Sequence, residues 1–234
     1  MTNEQFSRSA MLYGEQAQKK IESASVMVCG VGAVGTFAIE ALARVGVGRF
    51  ILVDSDCVAI SNINRQLCAL HSTVGKSKTA AMGERIKDIN PNAAVETFDE
   101  FIDATNVLRF VEMRPSVIVD AIDSISVKAE IVATALALDV PIVSSMGAGR
   151  KTDPNLVETL PIFKTYNCPL ASRMRKELRQ RGIKKADVQC VFSPELTTSQ
   201  THISNASEKI IGSTPMVTGV FGLMLANLAL GRII

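Results

Sequence analysis

The chain has no CxxC pair. Its five cysteines, Cys29, Cys57, Cys68, Cys168 and Cys190, are odd in number and scattered, which excludes a disulfide framework and a structural zinc ribbon and suits a reducing compartment. Charge excess is also missing, with 25 Lys and Arg against 23 Asp and Glu. No global field draws nucleic acid, so any such partner must be sought in local clusters. The N-terminal MTNEQFSRSAMLYGEQ lacks the basic-then-apolar order of a signal peptide, so a cytoplasmic location is expected. There is no linker-like break, internal repeat or low-complexity tract. One unit over 1–234 is therefore expected, with 151–214 as a substrate-contacting elaboration within it. Towards the C-terminus runs a long uncharged stretch, PMVTGVFGLMLANLALG, whose 17 residues sit at the lower limit for crossing a bilayer. Its Pro215, Thr218, Gly219, Gly222 and Asn227 favour a core or interface helix, and no integral membrane segment is expected.

What is present is a rhythm, in a chain whose 47 % hydrophobic content can build a sizeable core. SVMVCG, RFILVDSD, AAVETF, PSVIVDAID and PIVSSMGAG are apolar runs bounded by turn residues. Helical patterns such as VGTFAIEALARVG, GKSKTAAMGERIKDIN and SVKAEIVATALALDV lie between them. Continuous Val/Ile/Leu strands alternating with helices predict an α/β, doubly wound, mainly parallel Rossmann-like sheet with a C-terminal elaboration. After about residue 150 the rhythm weakens: NLVETLP and VQCVFS read as strands, PLASRMRKELRQRG as a helix, and PELTTSQTHISNASEKIIGSTP as a polar loop.

Ligands of such sheets gather at the carboxyl ends of the strands, where Gly30, Asp54, Asp120, Asp123 and Gly147 are expected. Gly30, Gly32 and Gly35 follow a strand and open a helix, so its first amides can meet a phosphate with no Cβ in the way. Asp54, 19 residues beyond Gly35, is placed to accept from ribose hydroxyls, which NAD and ATP both carry. The segment DSDCVAISNINRQLCALHSTVGKSK shifts the balance to ATP. A hydride-transfer enzyme needs no fixed cation there, whereas Arg65 and Lys78 can meet a triphosphate and stabilise charge developing in nucleotidyl transfer. Asp123 in DAIDS offers a hard oxygen ligand for Mg²⁺.

With those residues in view, the chain resembles the ubiquitin-activating-enzyme-like adenylyltransferase superfamily. The likeness rests on the glycine loop, DSDCVAISNINRQ at 54–66, VGKSK at 74–78 and DAIDS at 120–124. It implies carboxylate adenylation with ATP and Mg²⁺. By that resemblance Asp54, with Asp56 and Gln66 beside it, belongs to the nucleotide site and Asp54 holds the ribose. Asn62, Arg65 and Lys78 would hold the phosphates, and Asp123 the metal. Arg8 in FSRSAMLYG is similar to the family arginine that reaches into a partner subunit's site, which implies a homodimer. The sulfur-carrier-activating branch typically carries paired CxxC motifs, absent here. The second half instead resembles the tRNA threonylcarbamoyladenosine dehydratases, through SMGAGRKTDP, PLASRMRKELRQRGI and VQCVFSPE. That likeness implies ATP-dependent cyclisation of a modified adenosine in tRNA, and it leaves room for a sulfur-relay partner protein.

The basic helix supports an RNA partner. Between Arg173 and Lys185 stand seven cations and one acid, Glu177, while Leu170, Met174 and Leu178 recur at i+4 spacing. One face suits the body and the other, with Arg173, Arg175, Lys176 and Arg179, suits phosphates. A substrate that supplies its own attacking group needs no enzyme nucleophile, so Cys68, Cys168 and Cys190 are expected to pack as small hydrophobes. Two alternatives stay open: an adenylyltransferase acting on the C-terminal glycine of a ubiquitin-like sulfur carrier, and a nicotinamide-dependent oxidoreductase.

Overall fold

The structure, a computed structural model, describes residues 4–196 and 211–234. Among these residues seven strands form one sheet: β1 Ser25–Cys29, β2 Arg49–Val53, β3 Ala94–Phe98, β4 Val117–Asp120, β5 Ile142–Ser145, β6 Glu158–Pro161 and β7 Gln189–Phe192. Their spatial order is β3-β2-β1-β4-β5-β7-β6. Every neighbouring pair is parallel except β6 with β7. This is the doubly wound, mainly parallel sheet that the sequence predicts. Strands β4 and β5 are buried along their whole length, as their unbroken apolar runs require, because helices cover both faces.

Among the described residues eight α-helices flank the sheet: α1 Ser7–Tyr13, α2 Glu15–Ser23, α3 Ala33–Val45, α4 Lys78–Ile89, α5 Val107–Val111, α6 Ile125–Ala137, α7 Pro169–Gln180 and α8 Pro215–Ile233. The two helical layers build two clusters. One joins α3 and α8 to Val26, Val28, Leu52 and Val119, and the other joins α6 and α7 to Met27, Ile51, Ile118 and Phe192.

Helix α8 contains the long uncharged run. By length and composition it could cross a membrane, yet it packs on α3 and on strands β4, β5 and β7. Small residues make that approach close: a Cβ on Gly222 would stand 2.5 Å from both Phe37 Cβ and the Val34 carbonyl oxygen. The core-helix expectation therefore has a steric cause. Part of the expected polar loop, residues 197–210, lies outside the described residues.

The strand order reverses between β1 and β4, which leave the sheet towards opposite neighbours. A crevice opens beyond their carboxyl ends, the place where such sheets take ligands.

Candidate functional site

A cavity of about 530 Å³ fills this crevice. Its walls come from the glycine loop after β1, the Asp54–Asp56 end of β2, the 62–66 segment, Lys78, the 121–123 turn after β4 and the Ser145–Gly149 segment after β5. Residues far apart in the chain meet here because the parallel strands all end at the same edge.

The loop geometry dictates two of the glycines. Gly30 has φ of 94°, and a Cβ there would come within 2.8 Å of the Ala121 carbonyl oxygen. On Gly35 a Cβ would collide with the Gly30 carbonyl at 1.9 Å, so helix α3 could not begin where it does. Gly32 faces open space instead, leaving the first amides of α3, which lack intrahelical partners, accessible from the cavity.

Asp54 has a structural task as well as a place in the wall. Its Oδ2 accepts the Val31 N–H at 2.7 Å and its Oδ1 the Asp56 N–H at 2.8 Å, tying the glycine loop to the end of β2. A carboxylate offers about four acceptor positions, so capacity remains for a ligand. Lys78, the first residue of α4, has a side chain only 7 % exposed; its Nζ lies 2.6 Å from Asp56 Oδ2 and 4.0 Å from Asp54 Oδ1. Ser77 caps α4 by accepting the Ala80 N–H, which fixes where that lysine starts. Arg65 is half-buried, its Nη1 donating to the Ser61 carbonyl at 2.8 Å and to Asn64 Oδ1 at 2.7 Å. Asn62 Oδ1 accepts the Ala59 N–H at 3.0 Å, and Gln66 is buried. Asp123 is exposed in the cavity wall.

Among the described residues no three His, Cys, Asp or Glu side chains cluster as a metal cage. Mg²⁺ carried by a nucleotide needs only one or two carboxylates besides the phosphates. Asp123, facing the same cavity as Lys78 and Arg65, fits that part.

The thiols do not. Burial pushes Cys68 up to about 11 although the Lys78 charge pulls the other way. Burial raises Cys29 and Cys190 as well, so these three are thiols at neutral pH and poor nucleophiles. Cys168 is also buried, whereas Cys57 is exposed.

Two groups of expected residues lie away from the cavity lining. Arg8 is exposed on α1 and is not among the residues that line it. The α7 cations run outward from the cavity rim, where Leu170 lines the wall. Arg173, Lys176 and Arg179 are exposed, with Arg179 over the Phe163 ring at 5.6 Å. Arg175 departs from the expected outward face. It is half-buried, and its Nη1 donates to the Thr165 carbonyl at 3.0 Å and to the Thr165 hydroxyl.

A family model described as ThiF matches residues 6–234. The chain belongs to the ThiF family. The tRNA threonylcarbamoyladenosine dehydratase of Bacillus subtilis is 44 % identical to it over 191 residues, covering 82 % of this chain and 75 % of that protein. The Escherichia coli protein of the same name is 35 % identical over 249 residues, covering 98 % and 93 %. A crystal structure of the E. coli enzyme, TcdA, in complex with ATP superposes with a TM-score of 0.91 at 36 % identity, again covering 98 % of this chain and 93 % of that one.

This ThiF-family chain also holds polar groups that sequence reasoning missed. Lys128 and Ser144 are fully buried and share the Asp120 carboxylate. A signal existed: Lys128 occupies the same helical face as Ile131, Val132 and Ala135, so a cation sits inside an apolar stripe. Three residues after the end of β7, Glu195 accepts the Thr152 and Asp153 N–H groups, and Lys151 Nζ donates to the Glu195 carbonyl. Burial pushes the Glu195 carboxyl up, but these donors outweigh it and hold the group below its usual value.

Proposed function

We propose that this chain is an ATP-dependent tRNA threonylcarbamoyladenosine dehydratase, which adenylates the threonyl carboxylate and closes a ring with loss of AMP. The observation that carries the reading is the convergence, in one cavity at the β1/β4 switch point, of the glycine loop, Lys78, Arg65 and Asp123. Near full-length similarity to an enzyme of that name, crystallised with ATP, supports it.

The chemistry follows from what these groups can do. A free carboxylate is a poor electrophile. Its oxygen attacks the α-phosphorus of ATP, pyrophosphate leaves, and the resulting acyl-adenylate carries AMP as a good leaving group. A neighbouring group of the same substrate then attacks the acyl carbon and displaces AMP. The α3 amides and Gly32 receive phosphate oxygens, Asp54 receives the ribose, and Lys78 and Arg65 offset the charge that develops as pyrophosphate departs. Mg²⁺ held at Asp123 would supply further charge neutralisation on the phosphates. The buried thiols have no part.

The whole chain acts as one ATP-binding unit, with 151–214 as its substrate-contacting elaboration, in the cytoplasm and as a homodimer to which Arg8 contributes across the interface. Helix α7 begins at the cavity rim and runs about 18 Å, a track of cations that would hold tRNA phosphates and so place the modified base over the site. The test is mass spectrometry of nucleosides from tRNA incubated with the protein and ATP, beside pyrophosphate exchange. Loss of one water mass from threonylcarbamoyladenosine is expected. Exchange that proceeds only with a small protein ending in glycine would turn the reading to the sulfur-carrier alternative.

A further inference from the structure

Beneath the cavity lies a polar trio that the proposed chemistry leaves without a task. Asp120 ends β4, and Ser144 stands opposite it on β5. Lys128 reaches down from the beginning of α6, whose first residue is Ile125. All three are fully buried. Lys128 Nζ lies 2.6 Å from Asp120 Oδ2 and 3.2 Å from Ser144 Oγ, and that hydroxyl donates to the same Oδ2 at 2.6 Å.

The other carboxylate oxygen holds the turn that lines the cavity. Asp120 Oδ1 accepts the Ile122 N–H at 3.2 Å, one residue before Asp123. From the opposite side, the Ala121 N–H donates to the Cys29 carbonyl at 2.8 Å, and the Ala121 carbonyl closely abuts Gly30. The 121–123 turn is thus suspended between the glycine loop and one carboxylate. Because two donors hold Oδ2, rotating the Asp120 side chain would break both bonds, so Oδ1 is kept on Ile122.

Stability does not require this arrangement. A buried ion pair recovers little more than its desolvation cost, and apolar side chains of similar volume fill such a space as well. What they cannot provide is an oriented acceptor for the Ile122 amide.

We propose that Asp120, Lys128 and Ser144 are positioning residues for Asp123, fixing the direction in which its carboxylate meets the divalent cation of the bound nucleotide. The role rests on the nucleotide reading given above. It bears chiefly on the metal-dependent part of binding, because the trio makes no hydrogen bond to the glycine loop amides or to Lys78.

Calorimetric titration of the protein with ATP, in Mg²⁺ and in EDTA, separates these parts, with thermal unfolding run on the same samples. The paired variant Asp120→Asn/Lys128→Met removes both charges together, leaving no lone buried ion. It is expected to lose roughly tenfold of the Mg²⁺-dependent gain in affinity, as supporting residues behind a metal ligand do, while its EDTA affinity stays at the wild-type value. Ser144→Ala should lose a smaller part in the same direction, and it carries the test should the paired variant not fold. A lowered unfolding midpoint with the Mg²⁺ gain intact in the folded variants would make the trio purely structural and overturn the role. A wild-type chain that binds no ATP would instead overturn the nucleotide reading, and this role with it.

Discussion

Glu40, on α3, shows how one side chain couples two elements. Its carboxylate accepts from Arg85 Nε at 2.6 Å and Nη2 at 3.0 Å, joining α3 to α4, and from Arg44 Nε at 2.8 Å. Burial pushes the Glu40 carboxyl up, but the Arg85 and Arg44 guanidinium groups outweigh it and hold it below its ordinary value. A depressed folded value means that the stabilisation is complete above the unfolded glutamate value of about 4.3 and disappears as pH falls through the lower folded one. With solvent screening from the exposed Arg44, Glu40→Gln is expected to cost about 1 kcal/mol at pH 7. Urea unfolding of both proteins at pH 7 and pH 3 checks this: the gap should narrow in acid, and an equal gap at both values would remove the ionic contribution. At this scale the cavity-lining residues were legible, since Gly30, Asp54, Lys78 and Asp123 stand at spacings tied to strand ends and helix starts. Lys128 escapes such a reading because a lone lysine in a helix is taken as solvated by default, although its place in the apolar stripe of α6 signals burial. Its partner Ser144 is set by the β4–β5 register, which no local pattern encodes.

At the scale of elements, the five parallel strands up to β5 could be read from their apolar runs, and α7 from its i+4 stripe. The direction of β6 could not. Four residues ending in Pro161 carry no local signal for antiparallel pairing; β6 runs back because no crossover α-helix separates it from β5. Helix α7 also shows where pattern and packing part. Its sequence assigns four cations to one outward face, yet Arg175 is spent on Thr165, while Arg173 and Lys176 face solvent. Reversing those two, as Arg173→Glu with Lys176→Glu, is expected to weaken tRNA binding across sequences. The log–log salt slope should lose about 0.7–0.9 per phosphate contact removed, with ATP affinity unchanged. Arg175→Ala should lower the unfolding midpoint and leave the slope near the wild-type value. Filter binding at several salt concentrations distinguishes the two patterns, and an unchanged slope in the double variant would make the basic face a solvated one.

For the whole molecule, the question is whether one chain completes its own site. Arg8 lies outside the lining of its own cavity, and on the same short helix α1 Met11 is 84 % and Leu12 76 % exposed. Apolar side chains displayed beside an arginine suit burial against a second copy, and the homodimer proposed above would deliver Arg8 to that copy's cavity. In the proposed twofold dimer this exchange would be reciprocal, each site taking Asp123 from one chain and Arg8 from the other. Arg8→Ala and Asp123→Ala chains should each be inactive alone. In a mixed dimer the Arg8→Ala chain keeps its own Asp123 and receives Arg8 from its partner, giving one intact site of two. Random exchange of equal amounts makes half the dimers mixed, so about a quarter of wild-type turnover should return. Native mass spectrometry verifies the exchange, and AMP release reads the activity. If mixed dimers form and no activity returns, Arg8 does not act across the interface; if Arg8→Ala is active alone, the arginine serves packing rather than chemistry.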